Sequence, residues 1–272
     1  RGRIEAAQNG VLLNTDAIDN SAGVDCSDHE VNIKIALSIA TRAGELSFEG
    51  RNKLLAEMTD NVAELVLEDN IEQNLIISLE AQAAPLKLVD HQRFINYLAK
   101  QELLDPAVEF LPDSEEFKNR SLNQEGLTRP EIAILMAYSK IATYKDLLNT
   151  TLPDQEELSK WLVNYFPHAM QEKYLHVIKQ HPLRREIIAT GVVNRITNRL
   201  GITFMTQTIQ ETGCNVAEII QAYLVIADAF EIEDKWQQVR QLPITTDFAV
   251  KLTSYHTLSK LVKRELSWLL AQ

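Results

Sequence analysis

Cysteine occurs only twice in the 272 residues, as Cys26 and Cys214. That excludes a disulfide framework and a cysteine-rich zinc site. Glycine numbers 9 and proline 8, about half their usual share. So few chain breakers favour long helices over a sheet of many hairpins, each of which needs its own turn residues. Long uncharged runs are also missing: the longest stretches without Asp, Glu, Lys or Arg are Leu200 to Gln210 and the equally long Trp161 to Gln171, far short of the roughly 20 apolar residues of a membrane span. Positive charge is in deficit, 27 Lys+Arg against 38 Asp+Glu for a net −11, and such a surface repels phosphates and argues against nucleic acid as a partner. The glycines stand at 2, 10, 23, 44, 50, 126, 191, 201 and 213, so neither G-x-G-x-x-G nor a P-loop can be written. No signal peptide is visible, and the expected compartment is the reducing cytoplasm. The chain opens at Arg1, which suggests a piece of something longer.

What is present is globular: 45% hydrophobic and 24% charged residues, close to the averages of folded domains. Residues 1–30 read differently from the rest. Val11-Leu12-Leu13 follows Asn9-Gly10 and precedes a polar, turn-prone stretch from Asn14 to Asp19, a pattern that predicts a short strand leading into a loop. From about Val31 the period is helical. Leu55, Met58, Val62 and Leu65, resumed by Ile76 and Leu79, predict a helix over 48–83 with a break near Asn70. Further helices are expected at 89–102, 154–164, 167–180, 183–199, 215–231 and 244–270, with 103–125 mostly loop around Pro106 and Pro112. Thr128-Arg129-Pro130-Glu131 has the pattern of a capping box with proline in the first turn. Phe248, Leu252, Tyr255, Val262, Leu266 and Leu269 form a stripe that must pack on another helix, within the chain or across an oligomer interface. The expected fold is therefore all-α, a multi-helix domain over 31–272, divided near 103–126, preceded by a strand–loop segment over 1–30.

Candidate chemistry concentrates in Asp25-Cys26-Ser27-Asp28-His29-Glu30. Cys26 and His29 have C-x-x-H spacing, but a structural zinc site needs two spaced pairs and no second pair follows, so no metal is expected. Ser27 and His29 suggest a nucleophile and base, yet no G-x-S-x-G elbow surrounds them, and residues two apart rarely align for such work. His91, His168, His176, His181 and His256 are scattered at helical positions. Arg184, Arg185, Arg195 and Arg199 concentrate positive charge on one helix, available to an anionic effector or to ion pairs with the surplus acids. A helix-turn-helix DNA binder rests on helix content alone and is opposed by the charge.

The stretch NTDAIDNSAGVDCSDHE (14–30) resembles a segment of the large bacterial NAD-specific glutamate dehydrogenases, near the end of their catalytic region. GLTRPE (126–131) and HPLRREIIAT (181–190) resemble the same family. Its smaller relatives carry N-x-G-G-V-x-x-S at the mouth of the active site. Matched residue by residue, the resemblance implies that Asn20 faces the nicotinamide-ribose end of NAD. Gly23 and Val24 would let backbone and a small apolar side chain approach the substrate, and the Ser27 hydroxyl would bind the glutamate side-chain carboxylate. Ala22 stands where the smaller enzymes have the first of two glycines. The resemblance further implies that residues 1–30 are the remnant of an α/β catalytic domain and that the catalytic lysine, the catalytic aspartate and the cofactor's glycine loop lie upstream. The chain alone is then inactive, and its parent oxidises L-glutamate to 2-oxoglutarate and ammonia with NAD as a homo-oligomer. A reading from another class keeps the helical part as a non-catalytic oligomerisation or regulatory module, with the 248–269 stripe or the arginine helix as its contact surface.

Overall fold

The computed structural model describes residues 1–243 and 245–272, and every regular element among them is helical. In chain order these are α1 (Gly2–Gln8), α2 (Asp16–Asp19), α3 (Ser21–Arg42), α4 (Phe48–Glu57), α5 (Thr59–Ala83), α6 (Leu88–Lys100), α7 (Ser114–Leu122) and α8 (Arg129–Leu148). They are followed by α9 (Ser159–Tyr165), α10 (His168–Lys173), α11 (Leu175–Lys179), α12 (Arg184–Leu200), α13 (Phe204–Thr212), α14 (Val216–Ala229), α15 (Ile232–Arg240) and α16 (Phe248–Leu270). The helices assemble into two compact units, each drawn from separated segments: residues 1–15, 75–146 and 194–272 in one, 16–74 and 147–193 in the other.

The all-helical expectation holds, but the strand–loop segment does not. Residues 11–15 are irregular, flanked by α1 and α2. Three apolar residues with no neighbouring strand cannot satisfy their backbone as a ladder, and Val11 and Leu12 are exposed. The turn-prone stretch beyond them contains α2 over Asp16–Asp19, and α3 follows from Ser21, its inward positions Ile33, Ala36, Leu37 and Ala40 at helical spacing.

In the unit holding residues 16–74 and 147–193, α3 packs on α2, α4 and α11. The expected break near Asn70 is absent; the interruption falls at Met58, a buried residue closing α4. Asn70 instead stays helical, and its amide donates to the Ile18 carbonyl at 2.9 Å and the Ser21 hydroxyl at 2.8 Å. A mid-helix polar residue that looks like a breaker is here a strut. The 167–180 segment is split at Tyr174 into α10 and α11.

In the other unit, α16 lays Leu252, Tyr255, Ser259, Val262 and Leu266 inward against α13, α14 and α15. The 248–269 stripe is thus consumed within the chain over its central turns. Position 244, where that helix was expected to begin, lies outside the described residues; α16 starts at Phe248, capped by Asp247 accepting from Ala249 N–H at 2.8 Å. The region 103–125 contains α7, started by the Asp113 carboxylate accepting from the Glu115 and Glu116 N–H groups at 3.0 and 2.9 Å. Proline at 112 masked this cap, since the helix begins just beyond it.

Gly201 and Glu80 show how closely this unit is fitted. Gly201 has φ +102°, and a Cβ there would come within 2.5 Å of Glu80 Oε1. That carboxylate accepts from Lys87 Nζ at 3.0 and 2.9 Å and lies 3.6 Å from His91 Nε2. Burial alone would raise its pKa, but the His91 and Lys87 partners hold it at about 2. Glu131 is likewise buried and takes both Arg120 Nη atoms at 2.8 and 2.9 Å. It reaches back to Thr128 N–H at 2.7 Å, one half of the expected capping box, and the Thr128 hydroxyl donates to it at 2.8 Å.

Candidate functional site

α3 has two chemically different faces. Asn20 is its N-cap residue. Counting from there, positions 20, 24, 27 and 31 follow i, i+4, i+7, i+11 spacing, which places them on one side of the helix. All four are exposed, as is Gly23. Val24 is 76% and Val31 51% accessible, an unusual amount of bare β-branched surface for one helix face. Asn20, Gly23, Val24 and Ser27, the residues singled out by motif, therefore sit together on the outward face. Gly23 has ordinary helical backbone, and a Cβ built on it would meet the Asn20 amide at 3.4 Å, plain van der Waals contact. Nothing inside the chain requires glycine there.

The other side of α3 is polar and specific, with His29 and Asn32 buried and Asp28 exposed at its edge. Asn32 donates to the Tyr165 hydroxyl at 2.9 Å, and that hydroxyl donates to Asp28 Oδ2 at 3.0 Å. The His29 ring stacks on Tyr165 with centroids 4.4 Å apart and planes 20° off parallel. Burial, with the Asp28 charge nearby, pushes the Tyr165 phenol well above its usual range, so it remains a donor. His181 accepts from Leu183 N–H on Nδ1 at 3.1 Å. Its proton is therefore on Nε2, which donates to the Asn32 carbonyl at 3.2 Å. Burial lowers the His181 pKa and keeps that neutral tautomer.

The two later motifs are structural in the same way. In HPLRREIIAT, His181 holds α3, while Arg185 donates to the Leu148 and Thr150 carbonyls at 3.0 and 2.9 Å and pairs with Asp154. Farther along α12, Arg195 reaches Glu233 at 2.7 Å. Arg199, 1% exposed at its side chain, lies 4.3 Å over the Trp236 ring. Three of the four arginines are thus engaged within the chain. In GLTRPE, a Cβ on Gly126 would come within 2.4 Å of Ala84 Cβ. Arg129 donates to Asn14 Oδ1 and Ser78 Oγ, both at 3.0 Å.

Two pairings considered from spacing do not form. Ser27 is exposed while His29 is buried on the opposite face, so no nucleophile–base contact exists between them. Cys26 is also exposed, and its thiol is not among the groups gathered at the imidazole. What stands beside His29 is Asp25, with Nε2 to Oδ1 at 3.9 Å, and Asp69 from α5; one ligand atom from each of the three lies within 4.8 Å of the others. Sequence spacing could not reveal Asp69, because α5 brings it from 40 positions beyond His29.

For dinucleotide binding, these residues offer one exposed amide at Asn20, and the glycines supply no phosphate cradle.

A family model described as "Bacterial NAD-glutamate dehydrogenase, catalytic domain" matches residues 1–80, and one described as "Glutamate dehydrogenase, C-terminal" matches residues 124–272. Similar proteins named NAD-specific glutamate dehydrogenase occur in Halomonas elongata (37% identical over 272 residues) and Pseudomonas aeruginosa (37% over 268). Another occurs in Mycobacterium tuberculosis (38% over 271). These alignments cover 100%, 98% and 99% of this chain but 17%, 16% and 16% of the relatives.

Proposed function

The chain belongs to the NAD-specific glutamate dehydrogenase family, and from that premise we propose that it is the carboxyl-terminal portion of an enzyme converting L-glutamate, water and NAD to 2-oxoglutarate, ammonia and NADH. One observation carries the reading at residue level: Asn20, Gly23, Val24 and Ser27 share the exposed face of α3, where upstream domains of the same polypeptide would meet them.

In this reading the Ser27 hydroxyl donates to the substrate's side-chain carboxylate, a donor–anion match worth more than a neutral hydrogen bond. Val24 packs against the substrate's methylenes. Gly23 leaves the helix surface bare so that ligand atoms approach the backbone. The Asn20 amide faces the nicotinamide-ribose end of NAD, which supplies the hydride acceptor for the substrate Cα. Together these residues orient substrate against cofactor in a near-attack geometry. The proton-transfer groups and the rest of the cofactor site belong to the upstream portion, so the 272-residue chain alone is inactive. We also place the enzyme in the cytoplasm and read it as a homo-oligomer. Residues 31–272 found strictly monomeric by light scattering would remove the helical part as the assembly element.

The test is Ser27→Ala in the full-length enzyme. Loss of a hydrogen bond to a charged group costs about 1.5–3 kcal/mol, so kcat/KM for glutamate should fall by about 10- to 150-fold. An unchanged kcat/KM would remove Ser27 from the substrate site.

A further inference from the structure

His29 is a buried polar side chain whose ring stacks on Tyr165. Its side chain is 3% exposed, and neither Nδ1 nor Nε2 has a hydrogen bond of ordinary geometry, although the Tyr165 backbone stands nearby. Leaving both ring nitrogens unmet in a buried position costs about 1–3 kcal/mol, and native structures rarely tolerate that without a reason. Stacking on Tyr165 fixes the ring plane and holds Nε2 toward Asp25. Asp25 and His29 stand at i and i+4 on α3, one turn apart on one side, and Asp69 faces them from α5. The two carboxylates are half-buried, so the cluster is open to solvent on their side and closed behind the imidazole.

From this arrangement we propose that Asp25, His29 and Asp69 form a binding site for a divalent first-row transition cation. One imidazole nitrogen and two carboxylates make a mixed N/O donor set with two negative charges, matching a doubly charged ion. It disfavours the hard, oxygen-only coordination preferred by Ca²⁺ and Mg²⁺. Donors bound at about 2.1 Å around a tetrahedral ion stand about 3.4 Å apart. The Nε2–Oδ1 separation is 3.9 Å and one donor atom of each residue lies within 4.8 Å of the others, so side-chain rotations of the order of 1 Å bring all three to bonding distance. With three protein ligands, the remaining positions fall to water on the open side.

The experiment uses the 272-residue chain, stripped with chelator and titrated with Zn²⁺ by calorimetry and with Co²⁺ by visible absorption. The expected result is one tight equivalent per chain, with His29→Ala and Asp69→Asn each weakening it by about 30-fold or more. Glu30→Gln and Cys26→Ser, at exposed neighbours, should stay within about threefold, as should Ca²⁺ binding between wild type and variants. No stoichiometric uptake overturns the proposal. So does uptake that Cys26→Ser abolishes and Asp69→Asn leaves alone. If circular dichroism shows a variant unfolded, pulsed electron paramagnetic resonance of Mn²⁺ on the wild-type chain decides: an imidazole-nitrogen coupling supports the site, and its absence overturns it.

Discussion

Replacing Gly23 by alanine should make the chain more stable while damaging the enzyme it serves. Gly23 lies in the first turns of α3 with φ in the ordinary helical range. The added methyl would meet Asn20 Nδ2 at 3.4 Å, Oδ1 at 3.6 Å and Cγ at 3.7 Å, contacts that need no rearrangement. Removing the backbone freedom of an unfolded glycine then stabilises by about 0.4–1 kcal/mol. Gly126→Ala supplies the contrast. Its Cβ would sit 2.4 Å from Ala84 Cβ, 2.5 Å from the Ala84 carbonyl carbon and 2.7 Å from the Pro85 nitrogen. Backbone atoms there cannot step aside, and overpacking of this kind costs about 3 kcal/mol. Urea unfolding followed by circular dichroism reads both values. In the full-length enzyme, Gly23→Ala should lower kcat/KM for glutamate by an amount of the order of 100-fold, since its methyl on the outward face would displace a substrate bound there as proposed. A Gly23→Ala chain destabilised by more than about 0.5 kcal/mol would refute the claim that the fold does not need this glycine. Unchanged turnover would refute the claim that a ligand does.

Glu80 predicts acid sensitivity. Its carboxyl, faced by Lys87, His91 and Lys263, is held at about 2 against an ordinary 4.5. A depressed carboxylate contributes stability above the unfolded pKa that is lost as pH falls from about 4.5 toward 2, on the order of 3 kcal/mol. Glu80→Gln should flatten that part of the stability–pH curve, and an unaltered curve would count against the pairing. Arg120→Ala leaves buried Glu131 without its bidentate partner and should destabilise by about 3–5 kcal/mol, seen as a lower urea midpoint; a loss under about 1 kcal/mol would mean the pair is not desolvated as described. Asp113→Ala removes the α7 cap and should cost about 1 kcal/mol, with amide exchange at Glu115 and Glu116 rising ahead of global unfolding.

Helix content was legible because scarcity of glycine and proline and a 3.6-residue period act along the whole chain. Long α12, α14 and α16 carry that signal through several turns, and their ends fall within a few residues of the expected ones. The misreadings were all local. Val11-Leu12-Leu13 has strand-like composition but no partner strand, and composition alone cannot supply one. Asn70 was read as a breaker because isolated propensity cannot register its bonds to Ile18 and Ser21. α13 and α15 escaped because helices of 9 residues each give too few apolar positions to establish a period. At the site, a short motif located Asn20, Gly23, Val24 and Ser27, and their shared face follows from helical spacing. Asp69 was not legible, because only tertiary packing brings α5 to α3.

The division of labour on α3 has a physical consequence for the enzyme. A face that presents Asn20, Val24 and Ser27 to a ligand is useful only if the helix is held within a fraction of an ångström, and the outward residues cannot hold themselves. The inward ones do so through direction-specific bonds rather than bulk apolar packing: His181 to the Asn32 carbonyl, Asn32 to Tyr165, and Tyr165 to Asp28. Each fixes rotation about the helix axis, which a smooth apolar face would leave loose. Val24 and Val31 remain bare on the other side, and covering each would contribute about 1.5–3 kcal/mol, enough to drive docking of neighbouring domains without specifying register. Register is then set from within, by the His181–Asn32–Tyr165–Asp28 chain. A cation held by Asp25, His29 and Asp69 would add a further cross-link, from the second turn of α3 to α5, at the turn that carries Ser27.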